Sequence, residues 1–344
     1  MKKILLVLLT FGMLCGCQGK KEDNVIKIGV IAPLTGFASL PGEMCVNGLE
    51  VVKQDENLNF EYIISDCKSS TKEAMTAYKD LYNRGIRYFI VCGGQFAMTI
   101  ASQTKDKDVI VFATATPNMD LLDITNRCFR VFPNTDCVTE KMTDFSKGMF
   151  GEGAVAIIYL QNDAYSLYAD MFEDKIKKKG GCVLMKEGYA SNQKDFKSII
   201  AKVSSADPDY IYISSMGDGM LTLTKQLLVD PRTSKIPILG DMNYSLPSAR
   251  TIIPKSETPI FYVDAEINAD FAKEYNNIFG QAPNAYSYYV YMIPYILNNA
   301  IKNTDDNILN QIEYIKQSNF NISSQSISFD YRGEIKLPLE IYSF

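Results

Sequence analysis

Ile26-Lys27-Ile28-Gly29-Val30-Ile31-Ala32-Pro33-Leu34-Thr35-Gly36 decides the fold. The apolar run from Val25 to Ala32, rich in isoleucine and valine, reads as a strand covered on both faces, and Pro33 to Gly36 as the turn at its end. Downstream, Val46, Leu49 and Val52 give Glu43 to Gln54 helical spacing. Phe60 to Ser65 predicts a second strand. Ser70-Thr71-Lys72-Glu73 is a capping box for a helix that runs to Arg84, where Gly85 stops it. Tyr88 to Val91 predicts a strand, Ala97 to Thr104 a helix and Val109 to Phe112 a fourth strand. This is βα winding, which builds a parallel sheet with helices on both faces.

Arg127 to Phe132 reads as a crossing strand, after which the winding restarts. Strands are predicted at Ala154 to Tyr159, Val183 to Glu187, Tyr210 to Ser214 and Ile236 to Leu239. Helices are predicted between them at Tyr165 to Lys178, Phe196 to Ser204 and Met220 to Leu228. Three more helices follow, at Ala269 to Phe279, Ala285 to Asn303 and Ile308 to Gln317. A terminal hairpin pairs Gln325 to Phe329 with Glu334 to Tyr342 through a turn at Asp330 and Gly333. The expected fold is α/β, with two doubly wound parallel-sheet lobes. A chain of 344 residues suits two such domains.

Ahead of the first strand, Lys2 and Lys3 precede an apolar run from Ile4 to Leu14. That run is shorter than the about 20 residues a membrane-spanning helix needs, so residues 1–16 read as a cleaved signal. Leu14-Cys15-Gly16-Cys17 resembles a bacterial lipobox, with Cys17 the lipidated residue and 17–24 a tether to the membrane. The alternative is an ordinary secretory signal with two incidental cysteines.

A formal net charge of -5 argues against a nucleic-acid partner. The chain has no histidine. That removes Ser-His-Asp and Cys-His nucleophilic sites and every histidine-containing metal site. Asp218, Asp241 and Glu187 are scattered, and no GxSxG or P-loop pattern occurs. No catalytic residue, metal or cofactor is expected. The cysteines show no CxxC spacing. Cys67 and Cys92 follow neighbouring strands and are either close enough to bond or are buried free thiols.

The ordered landmarks resemble the type I periplasmic binding proteins of the branched-chain amino acid ABC importers. They are Ile28 to Gly36 with Gly42 and Gly48, Phe112 to Pro117, Asp195-Phe196 with Asp207-Pro208-Asp209, Ala285-Tyr286, and Ser328-Phe329-Asp330 with Gly333. The resemblance implies two lobes joined by a multi-crossover hinge, one from 25–131 plus 264–318 and the other from 132–263 plus 319–344. A ligand would be captured in the cleft between them. It also implies an extracytoplasmic receptor that delivers an amino acid or related small solute to permease subunits, or a sensor of the same fold.

A zwitterion needs donors for its carboxylate and an acceptor for its ammonium. By resemblance, Thr116 binds the carboxylate and the Thr114 carbonyl the ammonium. Gln95 and Phe96 lie where the family has a serine, so backbone N–H groups and the Gln95 amide remain as donors. Tyr165 matches a cleft tyrosine and Met216 a pocket tyrosine. Asp241 or Asn243 stands near the family's acidic ammonium partner. Leu40-Pro41 falls at the family's aromatic lid, where no aromatic is present.

Overall fold

The computed structural model describes residues 25–344; the leader, Cys17 and the tether lie outside the described residues. Strands β1 (Ile26–Ala32), β2 (Phe60–Asp66), β3 (Tyr88–Cys92), β4 (Ile110–Thr114) and β5 (Cys128–Arg130) form a sheet of order β2-β1-β3-β4-β5. Every pairing in it is parallel. Helices α1 (Ser39–Val52), α2 (Thr71–Asn83), α3 (Gly94–Ala101) and α4 (Leu121–Ile124) connect these strands. Ser70 caps α2 by accepting the Glu73 N–H at 3.4 Å, and Gly85, at φ 89°, turns the chain out of that helix. Helix α1 starts at Ser39 rather than Glu43. Pro41 sits in its first turn, where the missing N–H has no intrahelical acceptor to lose.

The second sheet has the order β14-β10-β9-β8-β6-β7. Its elements run in sequence as α5 (Thr135–Phe150), β6 (Ala154–Leu160), α6 (Asp163–Lys178), β7 (Cys182–Tyr189), α7 (Lys197–Ala206), β8 (Tyr210–Ser214), α8 (Gly217–Val229) and β9 (Ile238–Gly240). A 3₁₀ turn at Met242–Ser245, α9 (Pro247–Ile252) and β10 (Ile260–Ala265) complete that part. The chain then leaves the sheet for α10 (Ala269–Phe279), α11 (Ala285–Asn303) and α12 (Ile308–Gln317). Helix α11 lies along α1, and so returns the chain to the first sheet.

The terminal segment is not one hairpin. β11 (Asn319–Ile322), β12 (Gln325–Phe329) and β13 (Ile335–Lys336) make a small antiparallel sheet of their own. β14 (Leu339–Ser343) departs from it and pairs antiparallel with β10. Pro338 marks the break, since it has no N–H to continue a ladder. The second sheet is therefore mixed rather than wholly parallel.

Gly48 explains how closely α1 and α11 approach. A Cβ there would stand 3.0 Å from the Ser287 carbonyl carbon and nearer still to its oxygen. Gly48→Ala must push one helix off the other, so it should destabilise the chain by about 1–3 kcal/mol in chemical denaturation. An unchanged midpoint would mean that the helices can part at no cost.

Candidate ligand-binding cleft

A cavity of about 320 Å³ lies between the two sheets. Its wall is built from residues just beyond strand ends: Pro33 after β1, Gly93 after β3, Ala115 after β4, Asn162 after β6, Met216 after β8 and Asp241 after β9. Ligands bind open α/β sheets beyond the carboxyl ends of their strands, because the helix N-termini converge there. The first-sheet side is headed by α3. Gly93, at φ 112°, donates its N–H to the Thr114 carbonyl at 2.9 Å and turns the chain so that Gly94, Gln95 and Phe96 face the cavity. On the other side Asn162 caps α6, its side chain accepting the Tyr165 N–H at 2.9 Å. Among the described residues no lysine or arginine lines the cavity, and the charged side chains that do are Asp163 and Asp241.

Asp241 is the chemical focus. It is buried at 3% exposure. Oδ1 accepts the Asn243 backbone N–H at 2.9 Å and the Asn243 amide at 2.7 Å. Oδ2 has no partner. Burial raises the carboxyl to about 7 against these two bonds, and the nearby Asp264 carboxyl adds to the rise. Asp264 is likewise raised by burial to about 7. An unpaired buried carboxylate oxygen facing a cavity calls for a cationic donor.

Asn243 ties the walls together. Its amide also donates to Tyr165 Oη and to the Ser215 carbonyl, both at 3.1 Å, and its Oδ1 accepts from Tyr286 Oη at 3.1 Å. Tyr286 belongs to α11, on the first-sheet side, so this last bond spans the cleft. Burial holds the Tyr165 and Tyr286 hydroxyls well above their usual acidity range, so both remain protonated.

Of the residues singled out in the sequence, Gln95, Phe96, Tyr165, Met216 and Asp241 line the cavity. Thr114 and Thr116 do not; the wall there is Ala115, Pro117 and Asn118. Ala115 adopts a left-handed backbone, φ 51°, which breaks the strand alternation and turns both threonines behind the wall. The Thr114 carbonyl, expected to meet an ammonium, already accepts from Gly93. Both threonine hydroxyls are buried, without partners among the described residues. Thr116 Oγ1 stands 3.1 Å from where a Cβ on Gly94 would be, and the Asn118 amide oxygen fills that same notch.

Sequence reasoning missed Asn118, Tyr168, Tyr286 and Phe132, which reach the cavity from separate elements and share no spacing. It also missed Phe37, which is 78% exposed and stands at the rim, close in sequence to the Leu40-Pro41 pair where an aromatic was sought. Of the two readings of Cys67 and Cys92, the structure gives the buried free thiols rather than the bonded pair. Cys67 packs on one face of the first sheet and Cys92 on the other, where its sulfur stands 2.8 Å from that of Cys45.

A family model described as periplasmic binding protein matches residues 25–313. Leu/Ile/Val-binding protein homolog 2 of Brucella abortus is 25% identical over 335 residues, which cover 91% of this chain and 88% of that one. The leucine binding protein LivK of Thermotoga maritima superposes with a TM-score of 0.80 at 21% identity, covering 92% of this chain and 95% of that one. An ABC transporter solute binding protein of Rhodopseudomonas palustris, solved with 3,4-dihydroxy benzoic acid, gives 0.81 at 17% identity and 92% coverage of both chains. These are solute-binding proteins rather than enzymes. With two wound sheets, an interlobe cavity at their strand ends and a family match over most of its length, the chain belongs to the periplasmic binding protein family, in its type I form.

Proposed function

We propose that this protein is the lipid-anchored, extracytoplasmic receptor of an ABC importer, and that it captures an α-amino acid with an apolar side chain. The observation that carries the reading is the buried, half-satisfied carboxylate of Asp241 across the cavity from the N-terminus of α3. The ammonium sits against Asp241 Oδ2. The carboxylate takes the N–H groups at the start of α3, where the helix dipole favours an anion. The side chain lies among Phe37, Phe96, Phe132, Met216 and Met242. Cys17 carries the lipid and permease subunits receive the solute.

The test is a thermal-shift and calorimetry screen of the full chain against amino acids, their des-amino and amide analogues, and aromatic carboxylates. Binding confined to amino acids supports the reading. Tighter binding of an aromatic acid that lacks an ammonium would overturn it. Ligand uptake that persists when the gene is deleted would favour a sensor over a transport receptor.

Thr116 has a part in this reading as the donor beneath Asn118. A carboxylate that displaces the Asn118 amide from the Gly94 notch reaches the Thr116 hydroxyl. Thr116→Val should raise the melting temperature of the unliganded chain, because a buried unpaired hydroxyl is lost. It should also weaken amino-acid binding by about 1.5–3 kcal/mol, the scale of a hydrogen bond to a charged group. Unchanged affinity would leave the carboxylate to the α3 backbone alone.

A further inference from the structure

The geometry points to a Cys45–Cys92 disulfide that fastens helix α1 to the end of β3, directly beneath the first-sheet wall of the cleft. The two sulfurs stand 2.8 Å apart and both residues are buried at 1% exposure, within one side-chain cluster. Cys92 Sγ also makes a long hydrogen bond to the Pro41 carbonyl at 3.8 Å, a full ångström beyond the Cys45 sulfur. Cys128 is buried as well, but in the cluster on the opposite face of the sheet, together with Cys67. Cys137 and Cys182 are exposed.

The linkage bears on the site because both anchors are cavity elements. Helix α1 carries Pro41, which lines the cavity, and Ala38 lies just before it. Cys92 lines the cavity and leads into Gly93, Gly94 and α3. A covalent tie between them holds the anion end of the site and its apolar wall in one rigid unit, so less ordering remains to be done when ligand enters. It also closes a loop in a segment that spans 47 positions, which restrains the unfolded chain.

The chemistry needs an external disulfide as oxidant. The thiolate of one cysteine attacks that disulfide and expels one thiol. The second cysteine, as thiolate, then attacks the mixed disulfide and expels the other. The sulfur–sulfur bond forms, both cysteine protons are lost to solvent or the departing thiolates, and the oxidant's disulfide is reduced to two thiols. In the folded chain, the hydrogen bond with the Cys45 thiol and then burial hold Cys92 protonated. The bond therefore forms while the first sheet assembles, before the pair is enclosed.

The test refolds the full chain with oxidised glutathione, alkylates the remaining thiols and maps tryptic peptides without reductant. Lys53, Lys68 and Arg87 place Cys45, Cys67 and Cys92 on three different peptides. The expected result is a Cys45–Cys92 linked pair, with Cys67 alkylated, and a melting temperature several degrees above that of the reduced chain. Cys45→Ser should leave Cys92 alkylated and abolish the response of the melting temperature to reductant. A Cys67–Cys92 linked pair, or alkylation of both Cys45 and Cys92 in the refolded wild type, would overturn the inference. Because the oxidant is supplied, the outcome does not depend on where the protein resides or on what it binds.

Discussion

Asp241→Asn should stabilise the empty protein and disable it as a receptor. The carboxyl is buried with Oδ2 unpaired, and its native value lies near 7 against an ordinary 3.8. Between those values the unfolded chain has lost the proton and the folded chain keeps it. Folding then binds protons, and stability falls as pH rises through the window. Above about 7 the folded protein carries the full cost of the buried charge. Asparagine keeps the shape and the acceptor for Asn243 without that cost. The variant should therefore be more stable than wild type at pH 8, and its loss of stability between pH 4 and 7 should be shallower. The residual slope belongs to Asp264, raised in the same sense. Binding of an amino acid should weaken by about 2–5 kcal/mol, the scale for breaking a buried hydrogen-bonded charge pair. A des-amino analogue should lose far less. Equal losses for both ligands would remove Asp241 from the role and leave Asn243 as the alternative.

Arg130→Met should cost about 3–5 kcal/mol in equilibrium unfolding, because one partner of a buried ion pair is removed and the other is left. Arg130 is 1% exposed at the end of β5, where the chain leaves the first sheet. Its Nε reaches both carboxylate oxygens of Glu334, at 2.9 and 3.0 Å, and Nη2 bonds the same carboxylate. Its backbone N–H bonds the Gly333 carbonyl at 2.9 Å. Nη1 donates to the carbonyl of Asn118, a cavity residue, so the junction and the site share one cation. The double variant Arg130→Met, Glu334→Leu should recover much of the loss, since no unpaired charge then remains. A single variant as stable as wild type would show that the pair contributes nothing net.

Helices α10, α11 and α12 were legible to the residue. Asn268, Asn284 and Asn307 each cap the first turn with a side-chain oxygen, and Gly280 ends α10 in the left-handed conformation. Helix α5 was not. Its buried face includes Thr135, Thr139, Thr143 and Ser146, and so shows little apolar periodicity. Three of those hydroxyls are satisfied within the helix, Thr139 by the Thr135 carbonyl at 2.7 Å, Thr143 by the Glu140 carbonyl and Ser146 by the Thr143 carbonyl, both at 3.0 Å, while Thr135 donates out of it to the Pro117 carbonyl at 3.2 Å. Strand β10 escaped notice because its apolar run is short and is followed by the buried Asp264. In the cleft, residues that end a strand or start a helix could be placed from the sequence. Asn118 could not, and neither could Tyr286 although it stands in the first turn of a legible helix, because what makes them part of the wall is the left-handed turn at Ala115 and the docking of α11 on α1. Neither is written in local spacing.

The partnership of β14 with β10 has a consequence for the order in which the molecule assembles. All strands of the first sheet lie between Ile26 and Arg130, so that sheet can close as soon as the early chain is free. The second sheet cannot. Phe261 pairs with Ser343 and Ala265 with Leu339, so the outer edge of β10 stays bare until a segment more than 70 residues downstream has emerged. An unpaired edge is a template for pairing with other chains, and long-range pairing is slow because loop closure precedes its reward. The interval between completion of the first sheet and arrival of Leu339–Ser343 is thus when this chain is most open to aggregation, and when a chaperone that covers strand edges would help it most.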